Sequence, residues 1–167
     1  MTAPGGPRPF VPEEFAVPRE LVTAEFRLEP LGPQHNAADY EAWTTSMEHI
    51  RGTPGFPDGS WPREMTPEEN LGDLRRHADD FARRAGFTYT VLAVPRDRVV
   101  GCVYIYPAKD GPAGAADVSS WVRADRAELD VPLYDAVSAW LADAWPFTEV
   151  RYAPRAGGGG GTAGAGA

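Results

Sequence analysis

The sequence predicts an α+β fold, a central mixed and mostly antiparallel sheet flanked by helices, in the order β-α-α-β-β-β-α-β. Three observations predict it. Period-two alternation opens the ordered part in "AEFRLEPL", and two stretches of helical period follow. An apolar hairpin and a further strand then lead into an amphipathic helix and a last short strand. That closing strand-helix-strand succession implies a right-handed crossover between parallel strands.

Each element has its own local reason. Ala24, Phe26 and Leu28 alternate with Glu25, Arg27 and Glu29, the pattern of a half-buried strand. "NAADYEAWTTSMEHIRG" sets Tyr40, Trp43, Met47 and Ile50 at helical spacing, with Asn36 as N-cap and Gly52 as stop. Thr66-Pro67-Glu68-Glu69 is a capping box with proline at the first helical position. Leu71, Leu74, Ala78 and Phe81 form the buried stripe of that helix, and Gly86 ends it. "FTYTVLAVP" and "RVVGCVYIYP" read as a hairpin turning through Pro95 to Asp97, and "ADVSSWVR" as a further strand. The last helix begins near Val131, with Asp130 able to cap it, and places Leu133, Val137, Trp140 and Leu141 on one face. Trp121 and Trp140 are expected in one shared core. "TEVRYAPR" gives the last strand.

Composition narrows the function. With 167 residues and 43% hydrophobic content the chain can bury one core. Its 24 acidic against 16 basic residues, a formal charge of −8, lack the footprint of a general nucleic-acid binder. Cys102 is the only cysteine, so no internal disulfide forms. No run approaches the ~20 apolar residues of a membrane helix, and a cytoplasmic protein is expected. Residues 1–18 read as a proline-rich arm, 19–156 as the domain and 157–167 as a glycine-rich disordered tail.

From about Thr23 to Arg155 the chain resembles the GCN5-related N-acetyltransferase (GNAT) family. The succession of elements carries the likeness, with "VVGCVYIYP", "WVR" and "VPLYDAVSAWLADAW" its most family-like phrases. The resemblance implies an acyltransferase that takes acetyl-CoA as co-substrate and an amine of a small molecule or protein as acceptor. It also implies that Ser120, Trp121, Val122 and Arg123 lie along the pantetheine arm and that Arg126 lies at the pyrophosphate. The family's strand matching Ser120 to Arg123 splays from the one matching Glu149 to Tyr152 and leaves a V-shaped cleft. Two departures stand beside this. The family's phosphate loop, Gln/Arg-x-x-Gly-x-Gly/Ala, falls on Arg126 to Val131, where Leu129 and Val131 replace the small residues and Glu128 and Asp130 add like charge. The family's further helix and strands, with their tyrosine acid, have no match in the glycine-rich segment, as in a core without its last third.

Candidate side chains carry two readings each. Glu48, His49 and Asp58 fall where the family places substrate-side groups, or on an ordinary exposed helix end. Tyr104 and Tyr106 share a strand face, as ligand contacts with Tyr106 a catalytic candidate, or as half-buried sheet residues. Phe56 and Trp61 form an acceptor-binding lid or plug the core edge. Arg96, Arg98, Arg123, Arg126, Arg151 and Arg155 offset phosphate charge or sit on the solvated surface. Cys102 has no histidine near it in sequence, and His35 and His49 would lie ~21 Å apart along a helix, so a thiol hydrolase and a metal site are both poor readings. The alternative to an enzyme is a non-catalytic GNAT-like binding or regulatory module that has lost its acetyl-CoA site, for which a homodimer is allowed.

Overall fold

A computed structural model of the chain describes residues 9–56 and 60–155. Six strands lie in chain order in one sheet: β1 (Leu21–Val22), β2 (Phe26–Pro30), β3 (Phe87–Ala93), β4 (Arg98–Pro107), β5 (Ala115–Val122) and β6 (Glu149–Tyr152). Neighbours pair antiparallel through β5, and β6 joins β5 in parallel. Helices α1 (Asn36–Thr44), α2 (Met47–Arg51) and α3 (Pro67–Ala82) precede β3, and α4 (Asp130–Ala144) connects β5 to β6. The expected α+β class and strand order are therefore present, with the two-residue β1 as an addition.

The capping box at Thr66 forms as the sequence dictates, with Thr66 Oγ1 accepting from Glu69 N–H at 3.1 Å and Glu69 accepting from Thr66 N–H at 2.8 Å. Three local expectations are corrected. The single helix read from Asn36 to Gly52 is broken into α1 and α2. At the break Thr44 and Thr45 hydroxyls donate to the carbonyls of Tyr40 and Glu41, and Ser46 Oγ turns away to accept from Ala124 N–H at 2.9 Å. Asp130 does not cap α4; it is the first helical residue, the N-cap is Leu129, and the carboxylate is bonded to Arg155 instead. The stop after α3 is Arg84 at φ 62, not Gly86; a Cβ at Gly86 would run into the Tyr106 ring, so that glycine is required by packing.

The sheet is covered on both faces, which makes two cores. One gathers Phe26, Phe87, Tyr89, Val103, Val118 and Val122 under Leu133, Val137, Trp140 and Leu141 of α4. The other sets Cys102 and Trp121 against Trp43, Ile50 and Leu74. Trp121 and Trp140 thus lie in separate cores, because the period-two alternation of β5 turns Trp121 away from the face that α4 covers. A bulge in β4, where the register with β3 shifts between Val91 and Leu92, keeps Val99 and Cys102 in one core although three positions separate them. Trp121 O would meet any Cβ at Gly101, so the bulge needs glycine there. Before β1, Val11 is buried, Phe10 stacks on Phe87 and Phe147, and Tyr89 OH donates to Pro18 O at 2.6 Å. This part of the proline-rich arm is packed on the core. The tail from 157 and Asp58 fall outside the described residues.

Candidate active site

β5 and β6 pair only from Ala115 to Val118 against Glu149 to Tyr152. Beyond that point Ser119 to Val122 keep their ladder to β4 and have no strand on the other side among the described residues. This opening in the sheet has two sides, and they differ sharply.

On the side of α1 and α3 a cavity of about 360 Å³ is lined by Phe56, Trp61, Tyr104, Asp39, Asp73, His77 and Ser119. A second hollow of about 660 Å³, with Tyr106, Lys109, Asp117 and Arg151 in its wall, shares Gly55, Tyr104 and Ser119 with it, so the two form one groove passing the opening. Trp61 packs on Trp43 and Trp121 with ring centroids 5.3 and 6.2 Å apart, while Phe56 and Tyr104 each meet Trp61 edge-on or tilted. Tyr104 OH accepts from Trp121 Nε1 at 2.9 Å.

Two titratable groups give this cavity its chemistry. Asp39 on α1 is 4% exposed, and burial raises its carboxyl to about 6 against the opposing hydrogen bond from Asn70 Nδ2 at 3.2 Å. His77 on α3 is pushed down to about 4, by burial first and then by the neighbouring Arg76 charge, so it is neutral near pH 7. Tyr106 OH donates to Asp80 at 2.8 Å, which leaves its oxygen to accept from His77 Nδ1 at 2.9 Å; Thr88 Oγ1 lies 3.0 Å from the same nitrogen. With Nδ1 carrying the proton, Nε2 holds the lone pair, and no hydrogen bond engages it among the described residues.

On the other side the opening is filled. Arg155, its side chain 2% exposed, sits beside Ser120. Its Nη2 donates to Ser120 O at 2.9 Å, Nε and Nη2 grip both oxygens of Asp130 at 2.8 and 3.2 Å, and Nη1 donates to Pro54 O and Ala153 O. Tyr134 and Tyr152 flank the guanidinium at 5.6 and 5.7 Å, and Tyr152 OH bonds Ser120 Oγ at 2.5 Å.

Of the residues read from sequence, Phe56, Trp61 and Tyr104 come together in the cavity, with Tyr106 behind His77. Glu48 is exposed on α2 and His49 half-buried, and neither lines the cavity or the groove. Ser120 and Val122 face α4 and Trp121 faces the cavity side. Four further arginines pair with carboxylates of the chain, Arg123 with Glu41 and Asp125, Arg126 with Glu128, Arg98 with Asp125 and Arg151 with Glu149, while Arg96 is exposed with no ion pair among the described residues. Asp39 and His77 were not singled out from sequence. Their signal was there: each falls at helical spacing from an apolar position, Asp39 four before Trp43 and His77 three after Leu74.

Comparison places the fold. No family model matches the chain, and no curated protein does. Among solved structures, a ribosomal-protein-S5-alanine acetyltransferase from Vibrio fischeri superposes with a TM-score of 0.58 at 11% identity, covering 75% of this chain and 68% of the other. A probable GNAT-family acetyltransferase from Chromobacterium violaceum gives 0.57 at 15% identity, covering 86% and 71%. RimL, a ribosomal L7/L12 alpha-N-protein acetyltransferase in complex with coenzyme A, gives 0.57 at 11% identity, covering 73% and 64%. The chain has the GNAT fold. It spans between 64% and 71% of the length of these three neighbours.

For acetyl-CoA, the donor that a GNAT fold implies, three features of the residues as they stand oppose tight binding. Arg155 takes the Ser120 carbonyl, on the strand that the resemblance sets along the donor's pantetheine arm. At the start of α4, Leu129 is 3% exposed and packed in the core, where the family's loop has a small residue. Asp130 sets a carboxylate at the same helix end. Among the described residues no group of three or more His, Cys, Asp or Glu is placed to hold a metal ion, and no helix is long and apolar enough to cross a membrane.

Proposed function

We propose that the protein is an N-acetyltransferase of GNAT fold whose acceptor amine enters the cavity between α1, α3 and β5. The observation that carries this reading is the meeting of Phe56, Trp61 and Tyr104 with the buried Asp39 and the neutral His77 beside Ser119. Amines reach a protein protonated. Ring faces and a carboxylate attract the ammonium, and a desolvated carboxylate does so strongly. Before it can act as a nucleophile the nitrogen must give up a proton. Asp39, at about 6, is ionised at neutral pH and closer to the working pH than His77 at about 4. That difference makes Asp39 the proton acceptor and His77 an uncharged partner whose Nε2 orients the amine. Tyr106 and Asp80 fix the histidine tautomer and act through it. The cavity volume suits a small amine or the end of one protein side chain or chain terminus.

The test is release of coenzyme A from acetyl-CoA in the presence of a panel of small amines and of peptides with free N-termini. Amine-dependent release that falls ~10²–10⁴-fold in Asp39→Asn is expected. No release with any amine would sink the proposal. One observation favours a second reading, a non-catalytic module binding a cationic ligand: Arg155 fills the donor side of the opening. Such a module would bind amines in the cavity with no acyl transfer.

A further inference from the structure

We infer that Arg155 is an internal occupant of the β5–β6 opening, and that a donor running along β5 must displace it. The inference rests on the acyltransferase reading above and concerns the regulation of that same site.

The opening exposes the backbone of a central strand, and a ligand carrying amides can bind it as an added strand would. In this protein the chain supplies the ligand itself. Every N–H of the Arg155 guanidinium has an acceptor: Asp130 for Nε, Pro54 O and Ala153 O for Nη1, Ser120 O and Asp130 for Nη2. The charge is met by a two-point carboxylate grip, and tyrosine rings flank the planar group. A surface arginine that offsets ligand phosphate would keep donors free for the ligand. Arg155 keeps none.

The device is nonetheless releasable. Arg155 lies beyond β6, on a stretch without helix or strand, and Pro54 belongs to a turn. Withdrawing it breaks side-chain contacts and leaves the sheet ladders intact, the kind of local opening that costs less than global unfolding. Asp130 and Ser120 O would then face the opening unpaired, so closure returns when the ligand leaves. Donor affinity is scaled down by the fraction of molecules in which Arg155 is withdrawn.

Titration calorimetry with coenzyme A itself tests this on the full chain. Asp130→Asn, which keeps the shape of the carboxylate and removes its charge, and Arg155→Gln should both bind coenzyme A at least about tenfold tighter than the unaltered protein. If Arg155→Gln melts without cooperativity, Asp130→Asn carries the comparison alone. The Arg155 Nε–H resonance gives an independent readout in the unaltered protein: it should be protected without ligand and lose its protection at saturating coenzyme A. Equal affinity in all folded forms, with an unmoved Arg155 resonance, overturns the inference and leaves the acyltransferase reading standing. Absence of coenzyme A binding in every folded form overturns both, and Arg155 is then a fixed part of the core.

Discussion

The two sides of the β5 opening are built from similar materials, aromatic rings with a carboxylate, and they come to opposite states. On the α4 side Asp130 meets Arg155, and pair, rings and backbone acceptors close into a satisfied cluster. On the α1–α3 side Asp39 has no cation among its hydrogen-bond partners, only Asn70 among the described residues, and a cavity stands next to it. The difference teaches where to look for a ligand. A charge that already has an internal partner must give it up before a ligand can bind, whereas a buried carboxylate raised to about 6 beside an aromatic hollow is open to one directly.

The largest effects should come from breaking the cores of the two sides. Trp140→Ala and Trp121→Ala should each cost ~3–5 kcal/mol in denaturant melts, the range for a buried aromatic. Because the rings occupy separate cores, the double variant should add within ~0.5 kcal/mol. A strong coupling would mean that the sheet does not insulate one side from the other.

Next in size is Arg155→Ala. It leaves Asp130 without its cation, and a loss of about 3 kcal/mol is expected in a thermal melt. Asp39→Asn leaves no partner stranded except Asn70, which can still bond an amide, so it should cost far less. If the two losses proved equal, the contrast between the sides would collapse.

A subtler comparison lies within the cavity. His77, lowered to about 4, favours the folded state increasingly as pH rises from 4 to 6.5, since the unfolded chain binds the extra proton there. Asp39, raised from 3.8 to about 6, does the reverse: the folded state holds the extra proton in that window, and stability falls as pH rises through it. Each contribution is on the order of 3 kcal/mol, so they nearly cancel in the unaltered protein. Asp39→Asn should make stability climb with pH between about 4 and 6.5, and His77→Gln should make it decline between about 4 and 6. Melts at successive pH values check both signs; a flat profile in both variants would show that the groups are not desolvated as the structure has them.

Smallest is Thr66→Ala, which removes the cap of the helix that carries His77 and should cost ~1 kcal/mol in a thermal melt. A near-zero change would mean that packing alone holds the start of α3.

Local chemistry was legible without the structure wherever neighbours in sequence are also neighbours in space. The capping box at Thr66, the hairpin around Pro95 and the alternation of Phe26 and Leu28 depend on a few adjacent residues, and each was read correctly from them. The break between α1 and α2 was missed because its cause includes a distant group, Ala124 N–H, drawing Ser46 out of the helical pattern. The separation of Trp121 from Trp140 was missed for a like reason: periodicity says which residues share a strand face, but not which helix covers that face. The cavity was half legible. Phe56, Trp61 and Tyr104 were named as substrate-side residues, whereas Asp39 and His77 became notable only when burial moved their proton affinities. Arg155 is the clearest case. Its sequence determined a cation near the last strand and nothing more, because an arginine reads the same whether it faces water or a carboxylate. Only the tertiary structure decided, by bringing Asp130, Ser120 and Pro54 from 25 to 101 positions away in the chain, that this cation closes the opening beside β5.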